Sequence, residues 1–269
     1  MAVDNSNSVP QASKDVYADH PFALITTPAY TLPSETKLNM FQDLATEMAC
    51  VHNMIIRGLN SIYLQAQHVL PSDHYSFCNY AYQWYRYLHA HHAGEEEHYF
   101  PALERLSGQE GLMSRNVDQH KVFHDGLEEF SLYVQSCLNK LADYSGDELI
   151  RIIDTFSEAL MDHLNAEIGT ILDMEKFGEE RMAEILDINA QAVGEVMKSM
   201  GMTTGLPFAI VNLDLHFEGG IHAKTFPPPE AAGPLFVIRH IGFWFHRDWW
   251  KFASCDRSGN LQHLYAVPK

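Results

Sequence analysis

The chain has 269 residues, 46% of them hydrophobic, enough to bury one sizeable core or a core with an accessory segment. Thirty-five acidic against eighteen basic residues leave a net charge of −17, which argues against a sequence-independent hold on nucleic acid or an anionic membrane and favours cationic partners or metals. The opening MAVDNSNSVPQASKDV lacks a basic segment followed by an apolar one, no run approaches the roughly 20 apolar residues of a spanning helix, and the expectation is an intracellular, cytoplasmic protein.

Residues 1–34 are polar and turn-rich, with Pro10, Pro21, Pro28 and Pro33, and read as an N-terminal arm. Four rows at helical spacing follow. The first is Leu44, Met48, His52, Ile55, Leu59, Ile62, and the second is Phe77, Ala81, Trp84, Leu88, His91, Glu95, His98, closed by Pro101 and then by Ser107-Gly108. The third is Met113, Val117, His120, His124, Leu127, Val134, Leu138, and the fourth Leu149, Ile153, Phe156, Leu160, His163, Glu167, Ile171, Met174. Short connections at Gly111 and at DYSGD (143–147) make neighbours antiparallel, so the spacing predicts an all-α, up-down four-helix bundle over 35–178. A fifth helix is predicted over about 179–200. Residues 205–269, rich in proline and carrying GFWFHRDWWKF from Gly242, read as an irregular extension of the bundle, too short to make a firm core alone. The whole of 179–269 is thus an addition packed on the bundle.

Cys50, Cys78, Cys137 and Cys255 lie far apart without C-x-x-C spacing, so neither a disulfide framework nor a zinc knuckle is signalled. Histidine is the unusual residue, with sixteen in the chain. Each predicted helix sets at least one histidine in line with its apolar row, and two helices add a glutamate four residues later. A carboxylate on a core face is costly unless paired or bound to metal. Residues at i and i+4 share a face, so His91/Glu95, His120/His124 and His163/Glu167 can converge on one point with His52. Five imidazoles and two carboxylates suit iron, and two carboxylates among seven ligands suit a bridged pair of metals. Thiolate-rich zinc and all-oxygen calcium or magnesium sites fit less well. A lone core histidine, or the run Glu95-Glu96-Glu97 by itself, has an ordinary reading as a hydrogen-bonded or solvated group. The occurrence of such residues on four successive helices is what favours metal.

Two details of the second helix stay open. His92/Glu96 has the spacing of His91/Glu95, one residue round the helix, and the row through Trp84 and Leu88 favours the latter. His98 falls on the His91 face one turn beyond Glu95, as a candidate acid/base beside the ligands or an exposed helix end. A ferritin-like di-iron bundle would need two Glu-x-x-His motifs, and only Glu95-x-x-His98 fits. In the extension, Asp214–Glu218 (DLHFE) has strand-like alternation and, with His222, reads as surface.

The order His52, His91-x-x-x-Glu95 before Phe100-Pro101, His120-x-x-x-His124 and His163-x-x-x-Glu167 resembles the hemerythrin-like family, or HHE cation-binding domain, over about residues 38–175. HNMIIRGLN from His52 and HLNAEI from His163 are similar to a fungal branch. The resemblance implies one iron on His120, His124 and His163, the other on His52 and His91, bridges from Glu95 and Glu167, and dioxygen meeting the iron beside His52 and His91. In the respiratory carriers the fourth helix has a histidine and an aspartate separated by four residues, whereas His163 and Glu167 are separated by three, so reversible carriage is not inherited. The expectation is a di-iron protein that activates dioxygen to oxidise a small organic substrate, set against oxygen carriage, sensing or iron storage. The aromatic extension offers a roof for such a pocket, plain packing on the bundle, or a homodimer contact, and neither nucleic acid nor membrane is an expected partner.

Overall fold

The computed structural model describes residues 16–33 and 35–268; the arm expected over 1–34 therefore lies partly, at 1–15 and 34, outside the described residues. Its bundle is built from α1 (Met40–Gln65), α2 (His74–Gly94), α3 (Phe100–Ser107), α4 (Ser114–Leu138) and α5 (Gly146–Leu172). No β-strand occurs among the described residues, only an isolated bridge between Cys255 and Leu261. The helix ends have local causes. At the start of α1 the Asn39 side chain accepts from the Gln42 N–H at 2.9 Å while Gln42 accepts from the Asn39 N–H at 3.0 Å, a reciprocal cap. Ser145 caps α5, whose first turn carries Asp147 and Glu148, favourable at a helix N-terminus.

Helix α1 packs on α5, α5 on α4, α4 on α2, and α2 back on α1, closing a four-membered ring in chain order. Trp84 sits at its axis and is fully buried. Its Nε1–H donates to the Ile55 carbonyl of α1 at 3.0 Å, and its ring lies 5.1 Å from Phe130 of α4 and 6.0 Å from Phe156 of α5. One α2 side chain thus touches all three other helices.

The second helix does not stop at Pro101. It passes through a wide turn, Glu95–Tyr99, in which the Phe100 N–H bonds to the Glu95 carbonyl five residues back, and continues as α3. Proline inside a helix has no N–H and its ring collides with the carbonyl four residues earlier. The π turn relieves that conflict and adds one residue to the turn.

After α5 the chain leaves the bundle and forms α6 (Glu184–Met200), which packs on α2, the π turn and α3. The extension then runs along α2 away from the π turn. Phe208 packs against Tyr87 and Tyr80, and Phe252 reaches Phe77, at 5.0 Å, near the helix's start. Lys251 pairs with Asp73 at 2.8 Å. Polar contacts fasten the extension to α1 and to the segment before it: Arg57 of α1 bridges the buried Asp214 and the exposed Asp19, and Glu218 accepts from the Thr27 N–H and hydroxyl and pairs with His222 at 2.7 Å. Asp214, Glu218 and His222 are therefore internal ties, not the surface residues expected from their alternation.

Gly58 on α1 marks the closest approach, since a Cβ there would lie 2.8 Å from both Phe208 Cζ and Trp84 Cδ1, two fully buried rings. Gly58→Ala should cost about 1–3 kcal/mol through overpacking. Gly169→Ala, on α5 with nothing within 4 Å of its Cβ, should instead stabilise by about 0.5–1 kcal/mol. Denaturant unfolding of the two variants side by side checks both signs.

Candidate metal centre

The middle of the bundle is polar. His52, His163 and Glu167 are fully buried, Glu95 and His120 are nearly so, and His91 is half-buried. Among the described residues two groups each present donor atoms within 4.8 Å of one another: His52, His91, Glu95 and Glu167, and His92, Glu95, His120 and His163. The two carboxylates lie between the groups. Glu95 Oε1 is 3.0 Å from His91 Nε2 and its Oε2 is 3.6 Å from His120 Nε2. Glu167 Oε2 is 3.4 Å from His52 Nε2 and 3.8 Å from His163 Nε2. The nitrogens themselves face one another in pairs, His52 with His91 at 3.1 Å and His120 with His163 at 3.0 Å.

Outer partners fix how two rings point. His52 Nδ1 donates to the Leu164 carbonyl at 2.9 Å, which leaves Nε2 as the inward lone pair, and His120 Nδ1 meets Glu96 Oε1 at 2.5 Å. Such a hydrogen bond behind an imidazole is what orients a ligand toward a metal and raises its basicity. Several inward atoms have no hydrogen bond: both oxygens of Glu95 and of Glu167, and His92 Nε2. Unpaired buried carboxylates are expensive, and a donor set of five imidazoles and two carboxylates without thiolate is one that fits a pair of transition-metal cations. The residues present thus pass the chemical test for metal.

The same burial sets the protonation states. Desolvation, with His91 nearby, holds His52 well below its ordinary value, and burial takes His91 to about 4 and His163 to about 3. Burial and then the charge of His120 depress His92. Burial and the negative charge of Glu167 push Glu95 well above the usual carboxylate range. Four rings are thereby kept in the neutral form that binds metal, and cations would displace the proton that Glu95 otherwise retains.

The structure brings together His52, His91, Glu95, His120, His163 and Glu167 of the residues singled out from sequence. It does not bring His124 to them. The buried stripe of α4 runs Asn116, His120, Phe123, Leu127, Phe130, Val134, so Phe123 fills the inward position after His120. His124, one residue round, is 67% exposed and lies 3.4 Å from Asp125. His92 joins in its stead. It is stacked on His120 at 4.2 Å, while His91 turns toward His52, so the two consecutive histidines straddle the inward face of α2. The choice between the two phases of α2 dissolves: both imidazoles point in, Glu95 points in, and Glu96 supports His120 from outside.

His98 is also displaced. The residue added by the π turn rotates it off the His91 face, and it pairs instead with Glu195 of α6 at 3.1 Å, 39% exposed. Tyr99 takes the inward place, 3% exposed, its phenol pushed up by burial and by the charges of Glu167 and Glu95. Pro101 within a helical row was the sequence signal for that shift. The far end of the aromatic run, at Phe252, lies away from the cluster. Phe77, against which Phe252 packs, precedes His91 by fourteen positions, about 21 Å along a helix. The element next to the cluster is α6.

A ring of histidines and two glutamates on the facing helices of a four-helix bundle defines a class, and the comparison with known families agrees: residues 44–174 match the hemerythrin HHE cation binding domain, and the chain belongs to that family. Along most of its length it is similar to one particular protein, the dimeric xanthone biosynthesis cluster protein R11 of Cryptosporiopsis sp. (strain 8999), with 33% identity over 252 residues and 92% of each chain covered. No solved structure matches the chain.

Two measurements follow from the geometry. His92→Ala should impair metal loading as His120→Ala does, while His124→Ala leaves it near the parent level, read as metal per chain after reconstitution and desalting. Chelated, metal-free protein should lose stability as pH falls from about 6.5 toward 4. In that window the unfolded chain protonates the four histidines that the native state holds neutral, so the native state binds fewer protons there. Glu95 acts in the opposite sense but is one group against four. Urea midpoints across that range give the sign.

Proposed function

We propose that this protein holds two iron ions in the cluster and uses them with dioxygen to oxidise a small organic molecule. The observation that carries the reading is the placement of Glu95 and Glu167, each within ion-pair distance of histidines from both groups, which is where bridging carboxylates of a two-metal site belong. His92, His120 and His163 would hold one ion and His52 and His91 the other, a division of three and two imidazoles. When bound, such a pair supplies the redox chemistry that dioxygen needs.

The chain's own residues prepare the site. The Leu164 carbonyl and Glu96 hold the rings of His52 and His120 in register. Phe100 and Phe123 flank His120, at 5.8 Å each, and His163 lies 5.6 Å from Phe123, so the walls exclude water on that side. Tyr99 stays protonated near the carboxylates. His91, the more exposed of the donors in the two-imidazole group, marks the side from which a small molecule reaches the centre. The name of the related fungal protein places that relative in a biosynthesis cluster for a dimeric xanthone, which supports a small organic substrate here. Oxygen binding without turnover is the second reading, favoured by the placement of His98, which leaves that acid/base candidate away from the donors.

Elemental analysis of reconstituted protein should give two irons per chain, and one tightly held zinc with no gain on iron loading would remove the proposal. The reduced protein mixed with dioxygen should oxidise rapidly and not return its gas under vacuum. Reversible uptake over repeated cycles would establish the second reading.

A further inference from the structure

The extension carries a feature for which the metal centre has no use. Ala232–Val237 continues through another wide turn, Ile238–Gly242, into Phe243–Phe245, with the Phe243 N–H bonded to the Ile238 carbonyl. Residues 232–245 are thus one near-continuous helix. Ile238 anchors its inner side, and Gly242 lies so close to the Met202 carbonyl that a Cβ would have no room. The outer side is mostly apolar: Phe236 is 63% exposed, Ile241 56%, Trp244 50% and Phe245 65%, with Val237 beside them and the exposed His240 against Phe236 at 4.3 Å. With aromatic side chains of about 150–250 Å², this amounts to on the order of 500 Å² of exposed apolar surface along one short helix. That is the upper part of what a soluble monomer exposes, about 300–600 Å².

Charge chooses the occupant. Residues 1–218 hold twelve basic and thirty-two acidic side chains, a net charge of −20, whereas residues 219–269 hold six basic and three acidic, a net charge of +3. Basic groups border the apolar face. The Arg257 guanidinium lies 5.5 Å over the Trp244 ring, with Asp256 preceding it, and Arg247 follows Phe245 by two residues and is exposed, as is the next residue, Asp248. We infer that this face docks the protein on an anionic lipid surface, with Phe236, Ile241, Trp244 and Phe245 entering the interface and the bordering arginines meeting the headgroups. No helix among the described residues is long and apolar enough to cross a membrane, so the contact is peripheral. The charge of the whole chain argued against such a partner, but exposed charges are screened beyond about 8 Å in physiological salt, and the acidic residues belong mainly to the bundle. A second copy fits less well. It would press two net-positive segments together over roughly 1,000 Å² in total, the lower limit of a stable interface.

The test is flotation of the metal-loaded protein with vesicles of phosphatidylcholine alone or mixed with phosphatidylserine, together with tryptophan emission. The protein should float with the phosphatidylserine vesicles, its emission should shift to the blue, and added salt should weaken the association. The triple variant Phe236→Ser/Ile241→Ser/Phe245→Ser alters only exposed side chains, and unchanged metal content and circular dichroism confirm its fold. It should bind the same vesicles at least about tenfold more weakly. Failure of the parent protein to float with either vesicle would overturn the inference, and equal flotation with both would overturn the choice of anionic lipid. A parent dimer that the triple variant converts to monomer, without vesicle binding, would assign the face to a second copy.

Discussion

Two carboxylates buried at the centre of the bundle set the terms for everything around them. Glu95 and Glu167 are sealed from solvent, and among the described residues no lysine or arginine lies within ion-pair distance of either; their neighbours are imidazoles, of which burial keeps His52, His91 and His163 neutral. An isolated charge in that environment is costly enough that Glu95 holds its proton. Bound metal cations would reverse the balance, because they would compensate the carboxylates and engage the imidazole nitrogens at once. The apolar core can tolerate this polar interior because each donor rides on a helix already fixed by packing of the kind seen at Trp84, so the donors are placed before any ion arrives.

The extension divides its tasks along the length of α2. At one end α6 lies over the π turn, joined by the His98–Glu195 pair, and at the other Phe252 and Lys251 close the start of the helix against Phe77 and Asp73. Between them, Arg57 pairs with Asp214 and Asp19 and so ties both flanking segments to α1, and Thr27 with Glu218 joins the two segments to each other. The aromatics left over on 232–245 face outward, away from all of these duties.

Much of the bundle was legible because its helices obey one period. The first row, and the fourth as far as Ile171, with His52, His163 and Glu167, keep regular α-helical phase, and spacing alone places them. The third row was read slightly rotated. Its stripe advances by three and then four residues, His120 to Phe123 to Leu127, and a histidine four after His120 attracts a ligand reading, whereas the structure turns the aromatic at the third position inward. The second row failed only beyond Glu95, where the π turn changes the number of residues per turn; Pro101 was visible there as a helix breaker, although its effect was to widen the helix. The extension resisted reading because its contacts are tertiary. Nothing local in DLHFE shows that Asp214 answers an arginine, or Glu218 a threonine, far off in sequence.

The wide turn also bears on how this centre is compared with others of its family. A helix carrying one additional residue keeps its three-dimensional course on either side, but every later side chain falls one place behind in sequence count. Beyond Glu95, a count at regular α-helical spacing puts His98 at the inward place that Tyr99 occupies, so positions there have to be counted in turns of helix. The donors His91, His92 and Glu95 all precede this shift, so the spacing that places them is that of a regular helix.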